Sequence, residues 1–305
     1  MEITSGGRSA SGVMDVGVAD PARLGQSTLP DGRRLGWAEW GPAEGVPVLL
    51  CPGAATSRWL GFGTDVVDEL GVRLVSVDRP GLGASDPAPG RTLSDWAADV
   101  RHLAAERGLV DLAVVGMSAG VPFALVCAAA GVAVAAAVVS GDELASPAFT
   151  GLLTPEVRDL VALATTDPAR AEEVFADFGS VETLWEIAVE RSSGTDGAVY
   201  RQPAFASAFR RALTEAFARG PAGYARDTVL VMAPWPFDPA EITVPVDLWY
   251  GGRDTSPVHS PDLGATLAGR LPDARRHVVP EAGGSLLWTH AREILDSLVR
   301  PRARG

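Results

Sequence analysis

Residues 112–120 read Leu-Ala-Val-Val-Gly-Met-Ser-Ala-Gly, an apolar run that ends in Gly-x-Ser-x-Gly and leads into an alanine-rich stretch. The apolar run predicts a buried strand, and a predicted helix begins near residue 121. A serine on a tight strand-to-helix turn needs small residues two positions away on each side, and Gly116 and Gly120 provide them. We therefore predict that Ser118 lies on a sharp turn where its hydroxyl can act as a nucleophile.

Length, charge and cysteine content exclude several classes of protein. The 305 residues can bury a full hydrophobic core and suit one large α/β domain with an insertion. The net charge is −12 without a basic cluster, so we expect a small-molecule substrate and neither nucleic acid nor a membrane as a partner. Cys51 and Cys127 lie in apolar stretches, which predicts buried thiols and a cytoplasmic location. No metal-ligand spacing and no dinucleotide-binding glycine motif occurs, so no metal or other cofactor is expected.

Strand-like and helix-like segments alternate along most of the chain. Apolar runs at 46–51, 72–78 and 132–140 predict strands that each end in a turn, and residues 26–40 are typical of a hairpin. This alternation predicts an α/β fold with a mostly parallel sheet and helices on both faces. Functional sites in such sheets lie at the carboxyl ends of the strands, where Ser118 falls.

The pattern becomes helical between residues 146 and 237, where eleven of the twenty aromatic residues fall. These aromatic residues predict either an apolar substrate pocket or the packing of a helical cap. Phe149, Trp185 and Trp235 are our candidate substrate-binding residues. We divide the chain into a flexible N-terminal segment at 1–22, an α/β core at 23–145 and 238–305, and a helical cap at 146–237 inserted after the sixth strand.

Four landmarks, in this order, resemble the α/β-hydrolase fold family over roughly residues 24–300. They are Pro-Gly-Ala at 52–54, the Asp-x-x-Gly-x-Gly-x-Ser turn at 78–85, Gly-x-Ser-x-Gly at 116–120 and Gly-Gly-Arg-Asp at 251–254.

The resemblance implies an eight-stranded sheet and hydrolysis of an acyl bond by a Ser…Asp…His set. Ser118 is then the nucleophile and Asp254 the acid, with Asp142 at the end of the sixth strand as the alternative acid. The N–H groups of Ala54 and Ala119 are the expected donors to the oxyanion.

The histidine of this family is missing from its usual position between the last strand and the last helix, where Gly284 stands. Glycine can neither accept nor donate a proton. His290, six residues later, is our candidate base, and His259, which follows the Asp254 turn, is the alternative. Two more hypotheses stay open: the serine works without a complete triad, or histidine was replaced artificially by glycine.

These features predict a cofactor-free serine hydrolase that acts on a small, largely apolar ester or related acyl substrate. The alternative is a non-hydrolytic protein of the same fold, such as a lyase, isomerase, cyclase or ligand-binding protein, because Gly284 cannot transfer a proton. A homodimer formed through the aromatic-rich cap is a further expectation.

Overall fold

A computed structural model of the chain describes residues 16–300. Its strands are Arg23–Thr28 (β1), Arg34–Trp40 (β2), Val46–Cys51 (β3), Val72–Val77 (β4), Ala113–Met117 (β5), Ala135–Val139 (β6), Val246–Gly251 (β7) and Ala274–Val279 (β8). They form one sheet in the order β1-β2-β4-β3-β5-β6-β7-β8. β2 is antiparallel to β1 and β4, and all other neighbours are parallel. The predicted fold class, a mostly parallel eight-stranded sheet, is confirmed.

Helices cover both faces of this sheet and form a layer above one edge. Their bounds are Val67–Leu70 (α1), Leu93–Arg107 (α2), Val121–Ala129 (α3), Pro155–Thr166 (α4), Pro168–Phe178 (α5), Val181–Trp185 (α6), Gly194–Tyr200 (α7), Pro203–Ala216 (α8), Ala222–Met232 (α9), Ala265–Arg270 (α10), Leu286–Thr289 (α11) and Ala291–Val299 (α12). We call α4 to α9, which lie between β6 and β7, the cap. Proline occupies the first position of α4, α5 and α8, where its missing N–H group costs no helical hydrogen bond.

The central strands are apolar on both faces because helices cover both sides of the sheet. Alternate residues of β5 contribute to opposite layers of the core. Val114 packs in one layer with Trp96 of α2 and Phe123 of α3. Val115 packs in the other layer with Ile294 of α12. Because β3 to β8 run parallel to one another, their carboxyl ends lie at one common edge of the sheet.

Further predictions from the sequence concern the chain ends, the cysteines and the membrane. Residues 1–15 of the segment expected to be flexible lie outside the described residues; of the remainder, Val16 is buried and the Ala19 carbonyl accepts a hydrogen bond from Trp40 Nε1 at 2.9 Å. Cys51 and Cys127 are free and buried, as predicted. Between residues 16 and 300, no helix combines the length and apolar character needed to cross a bilayer.

Candidate active site

Ser118 occupies a tight turn between β5 and α3. Its φ of +51° lies in the left-handed region, which is strained for any residue other than glycine. The turn closes because its flanking glycines have no side chain. A Cβ on Gly120 would lie 1.9 Å from the carbonyl oxygen of Cys51, and one on Gly116 would lie 2.7 Å from Cα of Val121. The local geometry is thus that of a nucleophile elbow.

A chain of hydrogen bonds joins Ser118 to His259 and Asp254. The Ser118 Oγ lies 2.9 Å from His259 Nε2, and His259 Nδ1 lies 2.6 Å from Asp254 Oδ2. Only 11% of the imidazole and 6% of the carboxylate are exposed. Since a carboxylate can only accept, Nδ1–H donates to Asp254 and Nε2 is left to accept the hydrogen of the serine hydroxyl. This arrangement can remove a proton from Ser118.

The electrostatic interaction with His259, together with hydrogen bonds, keeps Asp254 in its ionised form. Burial acts to raise its pKa, but the adjacent His259 and the Ser256 N–H, which donates to Oδ1 at 3.0 Å, have the opposite effect. The net result is a pKa below the usual range for aspartate. An ionised carboxylate fixes the orientation of the imidazole and stabilises the imidazolium formed when His259 takes a proton.

Because Gly284 has no side chain, it leaves room for the side chains of His259 and Asp254 to meet. It follows β8, at the position where the family resemblance places a histidine. A Cβ on Gly284 would lie 2.8 Å from Asp254 Oδ2 and 2.9 Å from His259 Cε1. A side chain from residue 284 and the imidazole of His259 therefore compete for the same place. The imidazole of His259 can occupy this place only because residue 284 is a glycine.

The structure does not bring His290, our first candidate for the base, to Ser118. His290 separates α11 from α12, and its Nδ1 lies 2.9 Å from the hydroxyl of Thr289. Burial lowers its pKa. Our first candidate lies after β8, whereas the imidazole that is hydrogen-bonded to Ser118 comes from the loop after β7. A histidine five residues after the acid was the signal available in the sequence.

The loop that carries His259 is anchored to the end of β6. The Ser260 N–H donates to the carbonyl oxygen of Ser140 at 2.9 Å, and the Ser260 hydroxyl donates to Asp142 Oδ2 at 2.7 Å. Burial raises the pKa of Asp142 to about 6. Asp142, the alternative acid, thus binds the residue next to His259, while Asp254 contacts the imidazole itself.

The two predicted oxyanion donors lie on the loops that flank Ser118. Ala119 belongs to the 3-10 turn Ser118–Gly120 that opens α3, and the first N–H groups of a helix have no intrahelical acceptor. Ala54 follows β3 and lines the same cavity as Ser118. Within residues 16–300, the Ala54 N–H donates to no other backbone group. Both residues therefore lie beside Ser118, one in its own turn and one on the wall of the same cavity.

Ser118 opens into a cavity between the core and the cap, with a volume of about 390 Å³. Most of its wall is apolar or aromatic. The apolar lining consists mainly of Leu60, Leu184, Ile187, Tyr200, Phe205, Phe209, Leu287 and Trp288. The cavity suits a compact substrate with little polar surface.

None of the three predicted substrate-binding residues lines this cavity. Trp185 stacks on Phe209 at 6.3 Å and lies one layer behind the wall. Phe149 is fully buried within the cap's own core. Trp235 stacks on Phe237 at 5.4 Å beside a different cleft. These rings stabilise the fold, the usual role of aromatic residues in a thin helical layer.

The aromatic residues that do line the cavity were not singled out by the sequence analysis, although three of them belong to the eleven aromatic residues of the predicted cap. Phe205 and Phe209 are four residues apart on α8 and share one face of it, a spacing visible in the sequence. Tyr200 and Trp288 complete the wall, with their rings 4.8 to 6.1 Å from neighbouring rings. Trp288 comes from the core, so its place could not be inferred from the aromatic content of the cap.

Comparison with known proteins bears on the fold of the chain as a whole. Residues 48–296 match the model of the alpha/beta hydrolase family. A non-heme chloroperoxidase from Streptomyces lividans is 31% identical over 104 residues, which are 32% of this chain and only 36% of that protein. An esterase from a Rhodococcus species superposes with a TM-score of 0.60 at 20% identity, over 90% of this chain and 99% of the other. An epoxide hydrolase from hot-environment metagenomes superposes with a TM-score of 0.65 at 16% identity, over 92% of this chain and 99% of the other. At these identities the two structures show a shared fold.

Proposed function

The chain belongs to the α/β-hydrolase family, and we propose that it is a serine hydrolase of small, largely apolar esters or related acyl compounds. The observation that carries the proposal is the hydrogen-bonded chain Ser118–His259–Asp254, which opens into an apolar cavity. We also propose a cytoplasmic location, which two free, buried thiols support.

In the proposed reaction, Ser118 Oγ attacks the carbonyl carbon of the substrate while His259 Nε2 takes the hydroxyl proton. The tetrahedral intermediate carries its negative charge on the former carbonyl oxygen. When it collapses, the bond to the leaving alkoxide breaks and His259 returns the proton, which releases an alcohol. Water then attacks the acyl-serine with His259 again as the base, so that a carboxylic acid leaves and the serine hydroxyl is restored.

The N–H groups of Ala54 and Ala119 are the proposed donors to the tetrahedral oxygen. Ala54 lies in the loop after β3 and lines the Ser118 cavity, and Ala119 directly follows Ser118 at the start of α3, which supports this assignment. Loss of one such donor typically slows the chemical step by about a hundred- to a thousandfold. α3 adds the positive end of its dipole.

Two features bear on the substrate. The cavity of about 390 Å³ and its aromatic wall favour a compact aryl or short-chain ester. A serine at the elbow favours acyl transfer over reactions that begin with a carboxylate nucleophile. The non-hydrolytic alternative rested on a missing imidazole, and His259 removes that reason for it.

The test is labelling with a fluorophosphonate probe, read by intact mass, together with hydrolysis of p-nitrophenyl acetate and butyrate. We expect wild type to gain one adduct and to hydrolyse the esters, and Ser118→Ala and His259→Ala to lose both activities. His290→Ala is the control and should behave as wild type. Full turnover by Ser118→Ala, or loss of activity in His290→Ala with retention in His259→Ala, would contradict the assignment.

A further inference from the structure

Arg79 is a fully buried arginine at the carboxyl end of β4, behind the loop that follows β3. Its Nη1 donates to the carbonyl oxygen of Pro52 at 2.8 Å, and its Nη2 donates to that of Gly53 at 3.1 Å. The Phe123 ring packs on the guanidinium, with its centroid 4.7 Å from Cζ. Burying a guanidinium is costly unless its hydrogens find acceptors, and here two of the acceptors are consecutive carbonyl groups of one loop.

The contact with Gly53 has a direct consequence for Ala54, because the Gly53 carbonyl and the Ala54 N–H belong to the same peptide group. That group is planar, and no cis peptide bond occurs in the described part of the chain. Its C=O and N–H therefore point in opposite directions. By holding the carbonyl oxygen on one side, Arg79 aims the N–H to the other side and polarises it as a donor.

Asp227 of α9 holds Arg79 from the cap. Arg79 Nε donates to Asp227 Oδ2 at 2.6 Å, and only 3% of the carboxylate is exposed. Arg91 donates to the other carboxylate oxygen, Oδ1. The Asp227 carboxylate thus accepts from both guanidiniums, and of these two only Arg79 also donates to the loop that follows β3.

We propose that Arg79 is a positioning residue which aims the N–H of Ala54 at the oxyanion, and that Asp227 makes this aim depend on the docked cap. The inference rests on the proposed serine hydrolase function. Its effect falls on the transition state, because the ground-state substrate carries no full charge for the N–H to bind.

The test compares Arg79→Lys with Arg91→Lys. Lysine keeps the charge but cannot reach three acceptors in a planar fork. Arg91 shares the Asp227 carboxylate and is also buried, yet it makes no hydrogen bond to residues 52–54. For Arg79→Lys we expect kcat on p-nitrophenyl acetate to fall about 10- to 100-fold with KM within about threefold. Affinity for phenylboronic acid, which forms a tetrahedral anion on serine, should fall by the same factor. Arg91→Lys should change neither by more than about threefold.

Amide hydrogen exchange of residues 53–57 gives a readout that does not need activity, and Arg79→Lys should speed exchange there more than Arg91→Lys does. The proposal is overturned if Arg79→Lys keeps kcat and boronate affinity within twofold, or if Arg91→Lys loses as much of either. If wild type hydrolyses no ester and binds no boronate, the proposed function fails. In that case hydrogen exchange still tests whether Arg79 orders the loop after β3. Equal exchange in Arg79→Lys and Arg91→Lys would show that it does not, and the inference about Arg79 would be overturned as well.

Discussion

Replacing Gly284 by alanine should damage catalysis far more than folding. The backbone of Gly284 does not lie in the left-handed region, so alanine meets no conformational penalty and the effect is one of space alone. Ordinary van der Waals contact begins at 3.4 Å. Asp254 Oδ2, at 2.8 Å, and His259 Cε1, at 2.9 Å, must therefore withdraw by about 0.6 and 0.5 Å from the new methyl group.

Neither group can withdraw freely, because the two are hydrogen-bonded to each other and the loop that carries them is tied to Ser140. Overpacking of this kind costs about 1–3 kcal/mol of stability. A misplacement of about 1 Å in a catalytic constellation can cost a hundredfold in rate. A shift of about half that distance in both base and acid should lower kcat on p-nitrophenyl acetate roughly 10- to 100-fold.

The assay measures the rate of fluorophosphonate labelling and of ester hydrolysis in purified Gly284→Ala, with its melting temperature. Gly269→Ala is the matched control, because a Cβ there meets no atom within 4 Å and the φ of Gly269 is not positive. We expect the control to keep the wild-type rate. A Gly284→Ala protein that is folded and reacts as fast as wild type would refute the tight packing of Asp254 and His259 against residue 284.

Three further predictions follow from the same geometry. His259→Ala should lower kcat by about four powers of ten. The double variant His259→Ala/Gly284→His should have a kcat at least tenfold above that of His259→Ala. A double variant no faster than His259→Ala would show that residue 284 cannot supply the base. The pKa of Asp142, raised to about 6, means that the folded protein binds more protons than the unfolded chain between pH 4 and 6. Stability should therefore fall as pH rises through this window, by up to about 3 kcal/mol, and urea titrations of Asp142→Asn should lack this part of the slope. Ile187 lies at the edge of the cavity, and Ile187→Asp should raise KM for p-nitrophenyl butyrate about tenfold. Phe178 is exposed elsewhere on the cap, and Phe178→Asp should leave KM unchanged. Equal KM values for the two variants would show that the substrate binds outside this cavity.

Most of the core could be predicted from the sequence because its signals are local. The run before Ser118 is apolar and short, and Gly120 has no substitute because a Cβ there would touch the backbone of Cys51. The cap was predictable only as a helical layer. Its aromatic residues look alike in sequence, and whether Phe149 or Phe205 faces the cavity depends on how the cap docks on the core.

The sequence reduced the candidate bases to His290 and His259, but it could not decide between them, for a different reason. Catalysis needs an imidazole nitrogen within hydrogen-bond reach of Ser118 and a carboxylate behind it, and it places no condition on the order of residues along the chain. β7 and β8 are adjacent parallel strands, with Gly251 beside Val279, so the loops that leave them open at the same edge of the sheet. An imidazole from either loop can reach the same point, provided that the other loop leaves it empty. Gly284 meets this condition, and the absence of a side chain at that position is therefore an argument for the triad and not against it.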